Sequence, residues 1–215
     1  MSANTPSKQG SKSPTVFVVD DDASMRNALS NLLRSAGIQV ETFASTTEFQ
    51  ERPRDDGASC LVLDVRLQGA SGLEFQRQLA SSNASIPIVF ITGHGDIEMS
   101  VKAMKAGAVD FLAKPFREQD LLDAVSAALQ ADVKRRETQE QFSDLHSHYQ
   151  SLTVREKEVM ALAVKGLMNK QIAGQMNLSE ITVKIHRGHA MKKMNAKSFA
   201  DLVRMSEALG DRLEH

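Results

Sequence analysis

The chain has 215 residues, of which 41% are hydrophobic and 25% are charged, and its formal net charge is −1. This composition excludes disordered and fibrous proteins, and the lack of any apolar run near 18 residues excludes a membrane-spanning protein. The single cysteine, Cys60, excludes an internal disulfide framework and a cysteine-based zinc site, so we expect a soluble, reduced, cytoplasmic protein.

Charge is distributed unevenly along the chain. Residues 15–131 carry a net charge of −6, whereas residues 151–215 carry +4. This asymmetry indicates two domains with different partners. The predicted divisions are a disordered leader (1–14), a first domain (15–131), a linker (132–150), a second domain (151–212) and a tag remnant (213–215).

The first domain repeats five times a short apolar run, a turn and a segment with helical spacing. Strands that alternate with helices in this way predict a parallel, doubly wound sheet covered on both faces. The clearest helix contains Met25 and Ala36, and Gly37 and Gly107 are placed to end helices in a left-handed conformation. The predicted strands are Val16–Val19, Ile38–Phe43, Cys60–Leu63, Ile88–Ile91 and Val109–Leu112, and the further helices are Thr47–Arg52, Leu73–Ser81 and Ile97–Ala106.

Polar side chains follow the carboxyl ends of these strands, which meet at one edge of such a sheet and bind ligands there. Carboxylates brought together at that edge repel one another unless a cation lies among them, and Mg²⁺ accepts carboxylate oxygens while keeping several waters. The pattern therefore predicts a cation site beside a phosphoryl-binding lysine and hydroxyl. Its residues are Asp20, Asp21, Asp22, Asp64, Thr92 and Lys114. The alternative, an ordinary solvated loop charge, fits Asp22 best.

The linker contains a polar stretch, Lys134 to Gln141, without aliphatic or aromatic side chains. Such a stretch cannot be buried, so it is either an exposed helix or a flexible segment. A helix that begins near Glu118 runs into it, and the predictions therefore include a linker helix.

The second domain is predicted to contain four helices. Thr153 and Glu156 form a capping box, Asn169 and Ser179 cap the next two helices, and the last spans about Ser198 to Leu209. The short turn at Asn177 joins two helices, the second rich in basic residues, which predicts a helix-turn-helix that binds DNA. Residues 155–197 carry nine basic and three acidic side chains, which suits phosphate contacts; a merely solvated basic face is the alternative.

The first domain carries five motifs, four of which contain the strand-end residues: Val-Val-Asp-Asp-Asp (18–22), Leu-Val-Leu-Asp-Val-Arg-Leu (61–67), Ile-Thr-Gly-His-Gly-Asp (91–96) and Asp-Phe-Leu-Ala-Lys-Pro-Phe (110–116), and the fifth is Ser-Gly-Leu-Glu (71–74). Together they resemble the flavodoxin-like receiver domain of two-component response regulators. The resemblance implies that Asp64 accepts a phosphoryl group from a histidine kinase. It also implies that Mg²⁺ or Mn²⁺ is held by Asp20, Asp21, Asp64 and the backbone carbonyl of Arg66.

The same resemblance implies further roles around the phosphoryl group. Thr92 and Lys114 would bind its oxygens, Phe111 would be the aromatic residue that turns inward, and the Lys114–Pro115 bond would be cis. Gln68 stands where this family usually has a proline, which loosens the turn after Asp64 by a modest entropic amount.

Four segments of the second domain carry its own signature: Leu-Thr-Val-Arg-Glu-Lys-Glu-Val (152–159), Gly-Leu-Met-Asn-Lys-Gln-Ile-Ala (166–173), Ile-Thr-Val-Lys-Ile-His-Arg (181–187) and Met-Lys-Lys-Met (191–194). They resemble the LuxR-type helix-turn-helix. The resemblance implies a final helix that forms a dimer contact. The resemblance implies that Lys170, Thr182, Lys184, Ile185, Arg187 and Gly188 face the DNA. The basic residue Lys192 on the same helix is predicted to bind DNA with them.

Gly188 is unexpected inside a helix, where glycine costs about 1 kcal/mol relative to alanine. It indicates either a close approach to DNA or a tolerated substitution.

Together the resemblances identify a DNA-binding response regulator of the FixJ/NarL type. They imply that phosphorylation shifts an existing equilibrium, that the chain then forms a homodimer, and that the dimer binds a pseudo-palindromic operator in double-stranded DNA. RNA polymerase is a further candidate partner, and no membrane is involved. The alternatives are a magnesium-dependent phosphotransferase or phosphatase, which would turn over small phosphoesters, and an RNA-binding or protein-only adaptor.

Overall fold

The computed structural model describes residues 13–53, 57–68, 70–82, 86–93 and 97–213. The chain divides into two compact units between Arg136 and Glu137, and each unit is described by itself. Most of the predicted leader, residues 94–96 of the fourth receiver-like motif, and Glu214 and His215 of the predicted tag lie outside the described residues.

The first unit is built on a parallel sheet. Five strands lie in the order β2-β1-β3-β6-β7, and β4 and β5 form a small antiparallel hairpin after β3 that the periodicity did not predict. All residues of β1, β3 and β6 are buried, because helices cover both faces of the sheet. The strands are β1 (Thr15–Val19), β2 (Gln39–Phe43), β3 (Ser59–Asp64), β4 (Arg66–Leu67), β5 (Ala70–Ser71), β6 (Ile88–Thr92) and β7 (Asp110–Ala113).

Five helices accompany these strands in the described residues: α1 (Ala23–Ser35), α2 (Thr46–Glu51), α3 (Gly72–Ser81), α4 (Ile97–Lys105) and α5 (Glu118–Gln150). The predicted fold class is therefore confirmed. Asp22 is more than a solvated loop charge, because its carboxylate accepts hydrogen bonds from the amides of Ser24 and Met25 and caps α1. Gly37 has a φ of 79°, as its position predicts.

Helix α5 continues without a break through the polar stretch of the linker, so that stretch is an exposed helix. Leu121 and Val125 of its first half pack on the sheet, whereas Phe142 and Leu145 of its second half pack within the second unit. No helix among the described residues is both long and apolar enough to cross a bilayer.

A buried carboxylate fastens α5 to the sheet. The side chain of Asp132 is fully buried, and its Oδ2 accepts hydrogen bonds from the Ser59 amide at 2.9 Å and from Arg136 Nε at 2.6 Å. Its Oδ1 accepts two more from the Arg135 guanidinium, at 2.9 and 2.7 Å. The neighbouring Cys60 is a core residue, as predicted, and burial together with the Asp132 charge raises the pKa of its thiol to about 12.

The second unit contains four further helices: α6 (Val154–Val164), α7 (Asn169–Met176), α8 (Glu180–Lys193) and α9 (Phe199–Leu213). The predicted capping box of Thr153 and Glu156 is present, and Ser179 caps α8. Asn177 joins α7 to α8 in a left-handed conformation with φ of 56°.

Two predicted helix ends in this unit differ from the structure. The N-cap of α7 is Met168 rather than Asn169, because the Gln171 side chain accepts a hydrogen bond from the Met168 amide and Asn169 is already helical. Helix α9 runs to Leu213, so one residue of the predicted tag remnant is helical.

Candidate phosphoryl site and nucleic-acid interface

The carboxyl ends of β1, β3 and β7 bring Asp20, Asp64 and Lys114 together. Lys114 Nζ lies 2.9 Å from Asp20 Oδ2 and 2.8 Å from Asp64 Oδ2. Asp20 is fully buried, Asp64 is 7% exposed, and the Lys114 side chain is 19% exposed. One ammonium group therefore bridges two buried carboxylates that come from distant parts of the chain, and its single charge balances only one of them.

Backbone amides fix the other oxygen of each carboxylate. The Asp22 amide donates to Asp20 Oδ1 at 2.8 Å, and the Arg66 amide donates to Asp64 Oδ1 at 2.9 Å. The Arg26 guanidinium donates to the Asp20 carbonyl at 2.7 Å, which holds the backbone after β1 in place. Both carboxylates are thus oriented before any ligand arrives.

Burial and mutual hydrogen bonding shift the pKa values of Asp20 and Lys114. Burial raises the pKa of Asp20 above its ordinary value, and hydrogen bonds from Lys114 and the Asp22 amide offset this only in part. Burial acts in the opposite direction on Lys114, but hydrogen bonds to Asp64 and Asp20 and the charges of both carboxylates raise its pKa above its ordinary value. Lys114 therefore stays charged, and an ionised Asp20 is stabilised by any further cation that reaches it.

Gly72 packs closely against the backbone that carries Asp64. A Cβ at this position would lie 2.5 Å from the carbonyl oxygen of Asp64, and the Gly72 amide donates to the Val65 carbonyl at 2.9 Å. Any larger residue would displace the backbone that carries Asp64. The motif at 71–74 carried this glycine without indicating why it is needed.

The other predicted residues of the first unit have different environments. Thr92 is fully buried, and its carbonyl accepts a hydrogen bond from the Lys114 amide at 2.7 Å. Phe111 is half-buried, with its ring 6.3 Å from that of Phe90. Asp21 is half-buried, and Arg66 is exposed. The Lys114–Pro115 bond is cis, as the resemblance implies.

The donor set bears directly on the predicted cation. Within the described ranges, no three His, Cys, Asp or Glu side chains form a group that could hold a metal ion. Mg²⁺ commonly binds through only one or two carboxylates, with waters and other oxygens completing its octahedron. The adjacent carboxylates of Asp20 and Asp64, one of them fully buried, fit such a partly hydrated ion.

Helix α8 presents most of the predicted DNA-binding residues on one face. Lys184, Ile185, Gly188 and Lys192 are exposed and recur at helical spacing. A Cβ at Gly188 would meet nothing within 4 Å, so packing inside the protein does not require a glycine there. Lys170 is exposed at the start of α7, and Thr182 is half-buried in the first turn of α8.

Arg187 lies in a different setting from these residues. Its guanidinium lies over the ring of Phe199, 4.3 Å from the centroid, and donates to Asn169 Oδ1 at 3.2 Å. Arg187 therefore joins α8 to α7 and α9. A contact between Arg187 and DNA stays a prediction.

Glu156 joins the first and third helices of the second unit. It is 3% exposed, and its Oε2 accepts hydrogen bonds from the Thr153 amide at 2.8 Å and from Lys193 Nζ at 2.6 Å. His189 Nδ1 lies 3.6 Å from Oε1. Burial alone would raise the pKa of Glu156, but the hydrogen bonds from Lys193 and Thr153 hold it below its ordinary value.

This lowered pKa predicts a pH-dependent stability for the second unit. The contribution of Glu156 is present above its unfolded pKa of about 4.3 and is lost as the pH falls through the lower folded value. We expect Glu156→Gln to lower the stability of α6, measured by hydrogen exchange of the full chain, by about 1–2 kcal/mol at pH 7. The difference should shrink as the medium is acidified.

Glu158→Gln is the matched control, because Glu158 pairs with Arg155 on the same helix but is exposed. A Glu156→Gln effect that matched the control, or that did not change with pH, would contradict this assignment.

Comparison with known proteins agrees with these two units. The family model for the response regulator receiver domain matches residues 16–126, and the model for bacterial regulatory proteins of the luxR family matches residues 150–206. Nodulation protein W of Bradyrhizobium diazoefficiens is 58% identical over 207 residues, which are 96% of this chain and 91% of that protein.

Two further similarities cover nearly the whole chain. The transcriptional regulatory protein FixJ of Rhizobium meliloti is 39% identical, over 91% of this chain and 96% of that protein. A low-resolution structure of the response regulator StyR superposes with a TM-score of 0.81 at 54% identity, covering 91% of this chain and 99% of that one.

Proposed function

Since the chain belongs to the response regulators that join a receiver domain to a LuxR-type DNA-binding domain, we propose that phosphoryl transfer to Asp64 controls how its second domain binds DNA. The observation that carries this proposal is the oriented Asp64 carboxylate, which is held by the Arg66 amide on one oxygen and by the Lys114 ammonium on the other. Such a carboxylate is a preorganised nucleophile beside a cation that can stabilise phosphoryl charge.

The transfer itself needs little beyond this geometry. A carboxylate oxygen of Asp64 forms a bond to the phosphorus of a kinase phosphohistidine, while the bond from phosphorus to the histidine nitrogen breaks and that nitrogen keeps the electron pair. Mg²⁺, when bound, neutralises phosphoryl oxygens. The carboxylates that would hold it are Asp20 and Asp64, and we propose that Asp21 and the Arg66 carbonyl complete the set directly or through water; Mn²⁺ would fit the same oxygens.

Lys114 and Thr92 respond to the new charge. The Lys114 ammonium exchanges its carboxylate contacts for phosphoryl oxygens, and the Thr92 hydroxyl donates to another of those oxygens. Phe111 then turns inward beside β6, which shifts the equilibrium between inactive and active conformations. Self-phosphorylation and slow self-dephosphorylation are the only reactions we expect.

DNA binding by the full chain is expected to depend on phosphorylation. We expect a small phosphodonor such as acetyl phosphate, with Mg²⁺, to tighten binding of the full chain to its operator by at least about 10-fold, equivalent to about 1.4 kcal/mol. Asp64→Ala should show no tightening, because it lacks the phosphoacceptor. Fluorescence anisotropy with labelled duplex measures both. Equal tightening of wild type and Asp64→Ala would refute phosphorylation at Asp64.

The second unit supplies the DNA-binding side of the proposal. Exposed Lys170 and Lys192, with Thr182, would contact backbone phosphates, while Lys184 and Ile185 would reach base edges. Gly188 would allow the helix to approach the DNA closely because it has no side chain, and its Cβ position faces open space rather than the protein. Arg187 would contact DNA only from its position over Phe199.

Homodimerisation is supported by an exposed apolar stripe on α4. Ile97, Val101 and Met104 are 84%, 43% and 45% exposed and are spaced at i, i+4 and i+7. We propose that this stripe meets its copy in the phosphorylated dimer, that α9 adds a contact, and that the dimer reads a pseudo-palindromic operator. RNA polymerase stays a candidate partner of the bound dimer.

The stripe gives a prediction about assembly. We expect Val101→Glu to raise the dissociation constant of the phosphorylated dimer at least about 10-fold, because it places a charge in an apolar contact. Sedimentation velocity of the full chain with acetyl phosphate and Mg²⁺ measures this. Val133→Glu is the matched control, since Val133 is 41% exposed on α5. If both variants dimerise like the wild type, α4 is not the dimer contact.

A further inference from the structure

Helix α8 carries apolar side chains on two opposite faces. Val183, Ala190 and the C-cap residue Met194 are fully buried in the core of the second unit. Ile181 and Ile185 are 74% and 51% exposed. Packing of the unit accounts for the first face only and leaves Ile181 and Ile185 exposed one turn apart on the second.

Ile181 extends the face already assigned to DNA. At about 100° per residue, it shares an arc of about 100° with Lys184, Ile185, Gly188 and Lys192, and it lies one turn before Ile185. The buried residues of α8 lie on the other side of the helix. Ile181 is thus the most N-terminal member of this face, and the N-terminal part of a recognition helix reaches base edges.

We propose that Ile181 reads sequence by contacting the methyl group of a thymine in the major groove, and this inference rests on the proposed DNA binding. A branched aliphatic side chain has no hydrogen-bonding group, and the thymine C5-methyl is the apolar group that the major groove displays. Lys184, one turn from Ile181, and Lys192, about three turns away, lie on the same exposed face, so the surface as a whole complements a polyanion rather than an apolar protein. The proposal requires that each half-site of the operator contain a thymine within reach of Ile181.

The experiment removes the two sides of the proposed contact one at a time: the methyl group of the thymine and the side chain of Ile181. A binding site is selected from a random duplex library with the full chain, acetyl phosphate and Mg²⁺, and each thymine is then replaced by deoxyuridine, which lacks only the methyl group. We expect one thymine in each half-site at which this replacement weakens wild-type binding about 3- to 10-fold. Ile181→Ala should bind the unmodified duplex more weakly than the wild type by a similar factor. Replacing this one thymine by deoxyuridine should not weaken the binding of Ile181→Ala further, whereas replacements at other thymines should affect it as they affect the wild type.

Val154→Ala is the matched control, because Val154 is 73% exposed at the start of α6, outside α8. It should bind like the wild type at every site. The inference is wrong if Ile181→Ala binds like Val154→Ala, as it would if Ile181 served a protein contact. It is equally wrong if Ile181→Ala keeps the deoxyuridine sensitivity of the wild type at every thymine.

Lys184→Ala separates this inference from the function on which it rests. If Lys184→Ala weakens binding and Ile181→Ala does not, only the role of Ile181 fails. If no duplex is selected, or if neither variant changes binding, the proposed DNA face of α8 fails and the inference fails with it.

Discussion

Replacing Asp132 with alanine is expected to lower the free energy of unfolding of the first unit by about 3 kcal/mol, because it removes the fully buried carboxylate from a charge network whose two arginines are partly exposed. The fully buried carboxylate accepts hydrogen bonds from the Ser59 amide and from both Arg135 and Arg136. Alanine would leave the Ser59 amide without its acceptor and would remove the Asp132 charge from the guanidinium groups of Arg135 and Arg136. Urea unfolding of the full chain, followed by hydrogen exchange in β3, measures the loss.

Asp120→Ala is the matched control on the same helix. Asp120 also pairs with an arginine three residues away, Arg117, but that arginine is 85% exposed, and we expect hardly any change. Asp132→Asn should fall between the two, because an amide oxygen can still accept from Ser59. If Asp132→Ala unfolds like Asp120→Ala, the network does not hold α5 to the sheet.

Lys114→Met and Asp20→Asn are expected to change stability in opposite directions. Without Lys114, two buried carboxylates lose their shared cation, and we expect a loss of about 3 kcal/mol at pH 7 with EDTA present. Asp20 behaves differently, because its raised pKa means that its ionised form costs stability as the pH rises through that folded value. Asp20→Asn removes this cost, and we expect a gain of about 1 kcal/mol.

Both variants should lose function despite their opposite effects on folding. Asp20→Asn lacks a cation ligand and Lys114→Met lacks the phosphoryl partner, so incorporation of phosphate from acetyl phosphate should fall in each. Adding Mg²⁺ should restore part of the stability of Lys114→Met, since the ion binds the folded state. Lys102→Met is the control, because Lys102 forms an exposed pair with Glu98. If Asp20→Asn destabilises the protein, the ionised carboxylate of Asp20 does not lower the stability of the fold, and this assignment is wrong.

Local patterns predicted much of the fold. Apolar runs separated by helical spacing predicted the five strands of the main sheet, and Thr153 with Glu156 predicted the start of α6. The meeting of Asp20, Asp64 and Lys114 could be anticipated as well, since the carboxyl ends of parallel strands share one edge of a sheet. These features depend on near neighbours or on the rules of a regular sheet.

The sequence by itself therefore determined the strand and helix pattern, the acidic strand ends and the basic helix-turn-helix. Only the tertiary structure decided that the Asp132 carboxylate accepts a hydrogen bond from the Ser59 amide, 73 residues away, and that Arg187 lies over Phe199 and donates to Asn169. Periodicity describes which face of one element is buried, but it holds no information on which polar group of another element that face will meet. Those choices are made when the elements pack, because a buried charge must then find its partners.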